Sequence, residues 1–118
     1  MDIEYFREYC LSKKGVTESF PFDNNTLVFK VMGKMFALAG IDNFSSINLK
    51  CDPEKAIKLR EQYTAVQPSY HMSKKHWNTV QIDGSVHTSL LQEWIDDSYN
   101  LVVGGLPKKI QAQLETRN

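Results

Sequence analysis

The sequence predicts an α+β domain whose elements run helix, three strands, helix, two strands, helix. Three observations carry this expectation. Apolar residues recur at helical spacing in separate windows near the start, the middle and the end of the chain. Apolar and polar residues alternate in the stretches between them, as half-buried strands require. Gly33-Lys34 sits between two such stretches, where a tight antiparallel hairpin calls for glycine. At 118 residues the chain suits one domain over 1–118, long enough to stand without disulfide or metal. Apolar residues at 42% and charged residues at 24% fit a globular protein and exclude a disordered or fibrous one.

Asp2 caps the first helix, in which Ile3, Phe6, Cys10 and Leu11 share one face, and Lys13, Lys14 and Gly15 supply a basic last turn and a stop. Residues 17–25, with Pro21 and the Asp23-Asn24-Asn25 cluster, read as an irregular connection. Leu27, Phe29 and Val31 then alternate with Val28 and Lys30, Met35 to Ala39 form a second apolar run, and Gly33-Lys34 occupies the centre of a type II′ turn between them. Ile47 and Leu49 alternate with Ser46, Asn48 and Lys50 to complete a three-stranded meander. Asp52-Pro53 starts a short second helix that runs through Ala56 and Leu59 to about Tyr63. Two short strands follow, joined by the Lys74-Lys75 segment, and the chain turns at Asp83-Gly84. The longest helix begins at a Thr88 cap, carries Leu90, Leu91, Trp94, Ile95, Ser98, Tyr99 and Val102, and ends at Gly104-Gly105 before Pro107. Residues 107–118 hold only Ile110 and Leu114 as an apolar pair, so a loosely docked tail is expected.

Function has to be sought locally, because Lys and Arg total 14 against 14 for Asp and Glu and no field of the whole molecule attracts a charged partner. The one concentrated feature is the run from Tyr70 to Val80, with two lysines, two histidines and two aromatics, inside a window that holds no acid between Glu61 and Asp83. The charged amino terminus lacks the apolar core of a signal peptide and no apolar run reaches a membrane span, so the expectation is a cytoplasmic protein with no membrane partner. Cys10 and Cys51 form no CxxC pair, and His71, His76 and His87 match no metal-ligand spacing; reduced, packed thiols and no metal or cofactor are expected.

Phe20-Pro21-Phe22, the run Gly33 to Leu38, Tyr70-His71-Met72 with Lys74-Lys75-His76-Trp77-Asn78, and Ser98-Tyr99 together resemble the MmcQ/YjbR family over nearly the whole domain. His-Met-x-Lys-Lys-His-Trp is the specific part of that likeness. The resemblance implies a two-layer α/β domain of the secretion-chaperone-like or frataxin-like kind, an antiparallel sheet with helices on one side. It also implies a double-wing DNA-binding arrangement. Fold alone does not carry function, so the residues must.

Lys74 and Lys75 can neutralise phosphates, while Tyr70, His71, His76 and Trp77 offer planar groups for stacking, the mix used by surfaces that read a nucleic-acid backbone. The ordinary alternative makes Lys74-Lys75 a solvated loop and Trp77 a core residue. Arg7, Arg60 and Arg117 all lie outside the motif, so bidentate reading of guanine has no agent there. The expectation is weak, backbone-directed DNA binding through Tyr70, His71, Lys74, Lys75, His76 and Asn78, extended by Lys34. No nucleophile with its base and no paired carboxylates can be read, so no enzyme activity is expected, and Ser98-Tyr99 reads as a structural support through the tyrosine hydroxyl. A monomer is expected. The second reading is a protein-interaction module that adds another chain's strand to its sheet.

Overall fold

The Asp2 carboxylate accepts a hydrogen bond from the Tyr5 backbone N–H at 2.8 Å and opens α1 (Ile3–Leu11) in the computed structural model, which describes residues 1–117. Phe6 and Cys10 are its buried residues, as the spacing predicts. The chain then builds β1 (Val16–Ser19), β2 (Thr26–Val31), β3 (Lys34–Gly40) and β4 (Ser46–Lys50). The helix α2 (Pro53–Gln62), capped by Asp52 with Pro53 in its first turn, carries the chain to the far edge as β5 (Val66–Pro68). From there β6 (Trp77–Gln81) returns between β5 and β4, and α3 (Thr88–Gly104) and α4 (Lys108–Glu115) close the chain. The sheet order is β1-β2-β3-β4-β6-β5, every neighbouring pair antiparallel.

The four helices of the described residues all serve one face. Leu27, Phe29 and Val31 of β2, Ile47 and Leu49 of β4 and Val80 of β6 form a single core with Phe6, Leu91, Trp94, Ile95 and Leu114 of the helices. Phe6 meets Phe29 edge to face at 5.5 Å between centroids, and burying a side chain of that size contributes about 1.5–3 kcal/mol. Among the described residues no helix covers the other face. It carries a smaller cluster of Val28, Leu38 and Trp77, with Met35 and Met72 packed against it.

Four local features differ from the sequence reading. The first is β1, which pairs with β2 from Val16↔Val31 to Ser19↔Val28 inside a segment expected to be irregular; an edge strand with one apolar residue leaves little alternation to detect. The second is the β2–β3 turn, whose central pair is Met32-Gly33, at φ +49° and +85°. Positive φ at both positions is type I′, and Val31 pairs with Lys34, so the turn sits one residue earlier than the glycine-first reading placed it. Third, His87 rather than Thr88 caps α3, its Nδ1 accepting from the Ser89 N–H at 3.1 Å. Last, the expected loose tail contains α4, docked by the buried Leu114. Gly15 makes room for it, since a Cβ there would lie 2.5 Å from Leu114 Cδ1. Asn118, the end of that expected tail, lies outside the described residues.

A β-bulge shifts the β2–β3 register between Phe29 and Lys30 and takes Phe36 out of the ladder. Ser98 of α3 repairs the loss: its hydroxyl donates to the Phe36 carbonyl at 2.5 Å and accepts from the Lys50 N–H at 2.9 Å. The serine, not the tyrosine, therefore supports the sheet. Tyr99 donates to the Lys14 carbonyl at 2.6 Å and ties α3 to the end of α1.

Candidate nucleic-acid interface

Residues 69–76 join two paired strands, yet they do not prolong the hairpin; they fold across the sheet face that the helices leave open. Both ends of this flap are fixed. The buried Ser69 hydroxyl lies 3.1 Å from Asn48 Oδ1 and 3.2 Å from Thr79 Oγ1. Met72 packs into the Val28, Leu38 and Trp77 cluster. At the outer end the Ser73 carbonyl accepts from the N–H groups of His76 and Trp77 at 3.1 and 2.9 Å, which closes the turn holding Lys74 and Lys75. Arg60 of α2 clamps that turn from behind: its Nε donates to Asn78 Oδ1 at 2.6 Å, and its Nη2 to the carbonyls of Lys74 and, at 3.4 Å, Trp77.

The flap brings together five of the seven expected site residues. Tyr70, His71, Lys74 and Lys75 are exposed and His76 is half-buried. Lys74 Nζ stands 5.7 Å from the centroid of the Tyr70 ring, a cation–π contact that pairs the positive charge with an aromatic face.

Asn78 and Lys34 do not join them. Asn78 pairs with Leu49 in register, so its side chain enters the helix-side layer; it is 2% exposed and bound to Arg60 and the Ala56 carbonyl. A strand alternates faces, and Trp77 and Asn78 must point oppositely. Lys34 pairs with the core residue Val31 at the hairpin mouth, which sets it toward the helix side. Of the lysines outside the flap that could extend the patch, Lys30, opposite Met35, and Lys50, opposite Trp77, share the open face. Lys13 is engaged elsewhere, ion-paired to Asp96 and lying 4.9 and 5.2 Å from the Tyr9 and Tyr99 ring centroids.

Between the flap and the β1–β2 connection lies a cleft of about 670 Å³, lined among others by Phe22, Leu38, Asn48, Tyr70, Met72 and Thr79. Sequence reasoning did not single out Phe22, Asn48 or Thr79 as site residues. The signal available was the polar alternation of Ser46, Asn48 and Lys50, which marks a strand face turned from the core. Two aromatic rims stand in solvent, Tyr70 at 80% exposure and Phe22 at 63%. The loop just after Phe22 is pinned by Asp23, whose Oδ1 accepts from the N–H groups of Thr26 and Asn25 at 2.6 and 2.9 Å. Those bonds, Thr26 first, keep the Asp23 carboxyl below the usual carboxylate range. The Asn25 side-chain oxygen in turn accepts from the N–H groups of Ile41 and Asp42.

Asn48 is oriented by its neighbours. The Thr79 hydroxyl donates to Asn48 Oδ1 at 2.6 Å, beside the Ser69 hydroxyl already described, so the amide oxygen is taken and the amide nitrogen remains as a donor. The whole offers cations at the rim, flat apolar surfaces and one oriented donor. Elsewhere, Cys10 lies in the core, where burial pushes its thiol up to about 12, and Cys51 is half-buried. Among the described residues no group of three or more His, Cys, Asp or Glu is placed to hold a metal ion. No helix among them is long and apolar enough to cross a membrane.

Comparison with known proteins covers the flap and the sheet alike. The fold superposes on the crystal structure of a Deinococcus radiodurans protein, DR2400, with a DUF419 domain, at a TM-score of 0.91 and 38% identity, over 97% of this chain and 88% of that one. A Pseudomonas syringae protein matches at a TM-score of 0.71 and 28% identity, over 86% of this chain and 98% of that one. Among curated sequences, the uncharacterized protein YbdF of Escherichia coli O157:H7 is 41% identical over 80% of this chain and 79% of its own length. The uncharacterized protein YjbR of Escherichia coli K12 is 36% identical over 92% and 93%. The family model described as YjbR matches residues 11–101, from the end of α1 through nearly all of α3, and the chain belongs to the YjbR family.

Proposed function

We propose that this protein binds nucleic acid through the flap and the open sheet face, weakly and mainly by phosphate contacts. The observation that carries the reading is the flap itself, an acid-free segment bearing Lys74, Lys75, His71 and His76, clamped beside the sheet face that the helices among the described residues leave open. A pair of lysines on a pinned turn can meet a polyanion without the ordering cost of a mobile loop. Lys30 and Lys50 add charge on the same face. With few phosphate contacts and no arginine fork at the rim, affinity belongs on the order of 10⁻⁴–10⁻⁶ M near physiological salt.

Amide NMR titration with a short DNA oligonucleotide tests the reading. Perturbations are expected at residues 70–76 and on the open face of β3, β4 and β6. Perturbations confined to α1 or α3, or none at low salt, would reject it. Undiminished binding of a peptide strand at high salt would favour a protein partner instead.

A further inference from the structure

We propose that the cleft on the open sheet face receives an unpaired base of a single-stranded nucleic acid, stacked against Tyr70 and Phe22 and met by the Asn48 amide. This rests on the nucleic-acid reading above and narrows it from nucleic acid in general to single strands. The first ground is the aromatic rim. Tyr70 and Phe22 both line the cleft while remaining 80% and 63% exposed, so folding has left large flat rings in water at one place. A duplex keeps its base faces stacked on one another, and only an unpaired base can use such a platform.

The second ground is the cleft's interior. Its volume of about 670 Å³ falls inside the roughly 300–1,000 Å³ typical of sites that enclose a small planar ligand. Met72 and Leu38 give it apolar walls. Asn48 gives it direction, because the Ser69 and Thr79 hydroxyls occupy the amide oxygen and no acceptor among the described residues takes the amide nitrogen. An amide N–H held beside an apolar wall suits the ring nitrogen or carbonyl of a base.

The third ground is charge. Lys74 stands over the Tyr70 ring with Lys75 beside it in sequence, so a strand whose base lies on Tyr70 brings its phosphates to the flap lysines. Asp23 is the one carboxylate lining the cleft among the described residues, and Asn25 and Thr26 occupy it. The site therefore offers stacking and positive charge together, with little to repel a phosphate.

Fluorescence anisotropy at low salt, with a single strand of about 12 nucleotides, within the site sizes such surfaces take, and with the same sequence closed into a duplex, tests the proposal. The single strand is expected to bind more tightly. Tyr70→Ala and Phe22→Ala change exposed residues and leave melting unchanged, while each weakens single-strand binding on the order of five- to hundredfold. Phe22→Ala, outside the flap, leaves duplex binding as it was, and Tyr70→Phe keeps the parent affinity for the single strand. A 2-aminopurine in the strand is quenched on binding to the parent and not to Tyr70→Ala. Duplex binding as tight as single-strand binding, lost in Lys74→Ala/Lys75→Ala but not in Tyr70→Ala, would refute the base cleft and keep the phosphate surface. A mononucleotide bound as tightly as the strand would identify a small-molecule pocket and refute the proposal. No binding of either strand form would overturn both readings.

Discussion

Replacing Arg60 with alanine should release the flap from α2. The side chain makes a charged hydrogen bond of 2.6 Å to Asn78 Oδ1, and Asn78 is buried, so the variant leaves an amide oxygen inside the protein without its donor. A hydrogen bond to a charged group contributes about 1.5–3 kcal/mol. The bonds to the Lys74 and Trp77 carbonyls reach the protein surface or are long, and add little more. An expected loss of about 2–3 kcal/mol follows from the Asn78 bond and the stranded acceptor. At about 2.1 cal/mol/K of unfolding entropy per residue, 118 residues give roughly 0.25 kcal/mol/K, so Tm should fall by about 8–12 °C. Arg60→Lys should recover little, since an ammonium cannot reach Asn78 and the carbonyls of the turn with one planar fork. Urea unfolding of Arg60→Ala, Asn78→Ala and the double variant measures the coupling. Losses that add to within about 0.5 kcal/mol would refute the clamp, because residues without a shared interaction behave additively.

Ser98→Ala should cost about 2–5 kcal/mol, because it strands the Phe36 carbonyl and the Lys50 N–H together; a midpoint in urea close to that of the parent would show that the bulge repairs itself otherwise. Trp77→Ala removes the centre of the cluster under Met72 and should lose about 3–5 kcal/mol. If it melts like the parent while losing affinity, Trp77 is a contact and not a support. Cys10 has an alkaline signature. Burial raises its thiol from 9.0 to about 12 in the folded chain, so its contribution is fully present below pH about 9 and is lost as pH rises toward 12. Stability against pH should fall less steeply above pH 9 in Cys10→Ala than in the parent, and equal slopes would contradict the burial of that thiol.

The sequence made the central elements legible because their patterns are strong. Asp52-Pro53 starts a helix by capping and fixed φ, and the alternation of Ile47 and Leu49 with Asn48 and Lys50 is what a strand with one buried face requires. Val16–Ser19 escaped because an edge strand pairs on one side only and buries little. The turn moved by one residue because Met32 takes a left-handed conformation, φ +49°, that local propensity disfavours and the register imposes. The site followed the same division. Lys74, Lys75, Tyr70, His71 and His76 are consecutive enough to be seen together. Phe22, Asn48 and Thr79 come from three distant segments and meet only when the sheet is assembled. Asn78 fell on the wrong side of the strand because a motif read along the chain does not separate the two faces, and Arg60, 14 residues before Lys74, is joined to the flap only by the fold.

The dependence of DNA affinity on salt, measured for the parent and for Lys74→Ala/Lys75→Ala, tests the central claim that the flap meets phosphates. Two lost contacts should reduce the slope of log affinity against log salt by up to about 1.4 for a single strand or 1.8 for a duplex. Melting should hardly change, since both side chains are exposed, the Lys74 ammonium meets only the Tyr70 ring face among the described residues, and the Lys74 carbonyl that Arg60 holds survives the change to alanine. A smaller slope with weaker binding in a fully folded variant is the predicted result. An unchanged slope and an unchanged affinity would contradict the account.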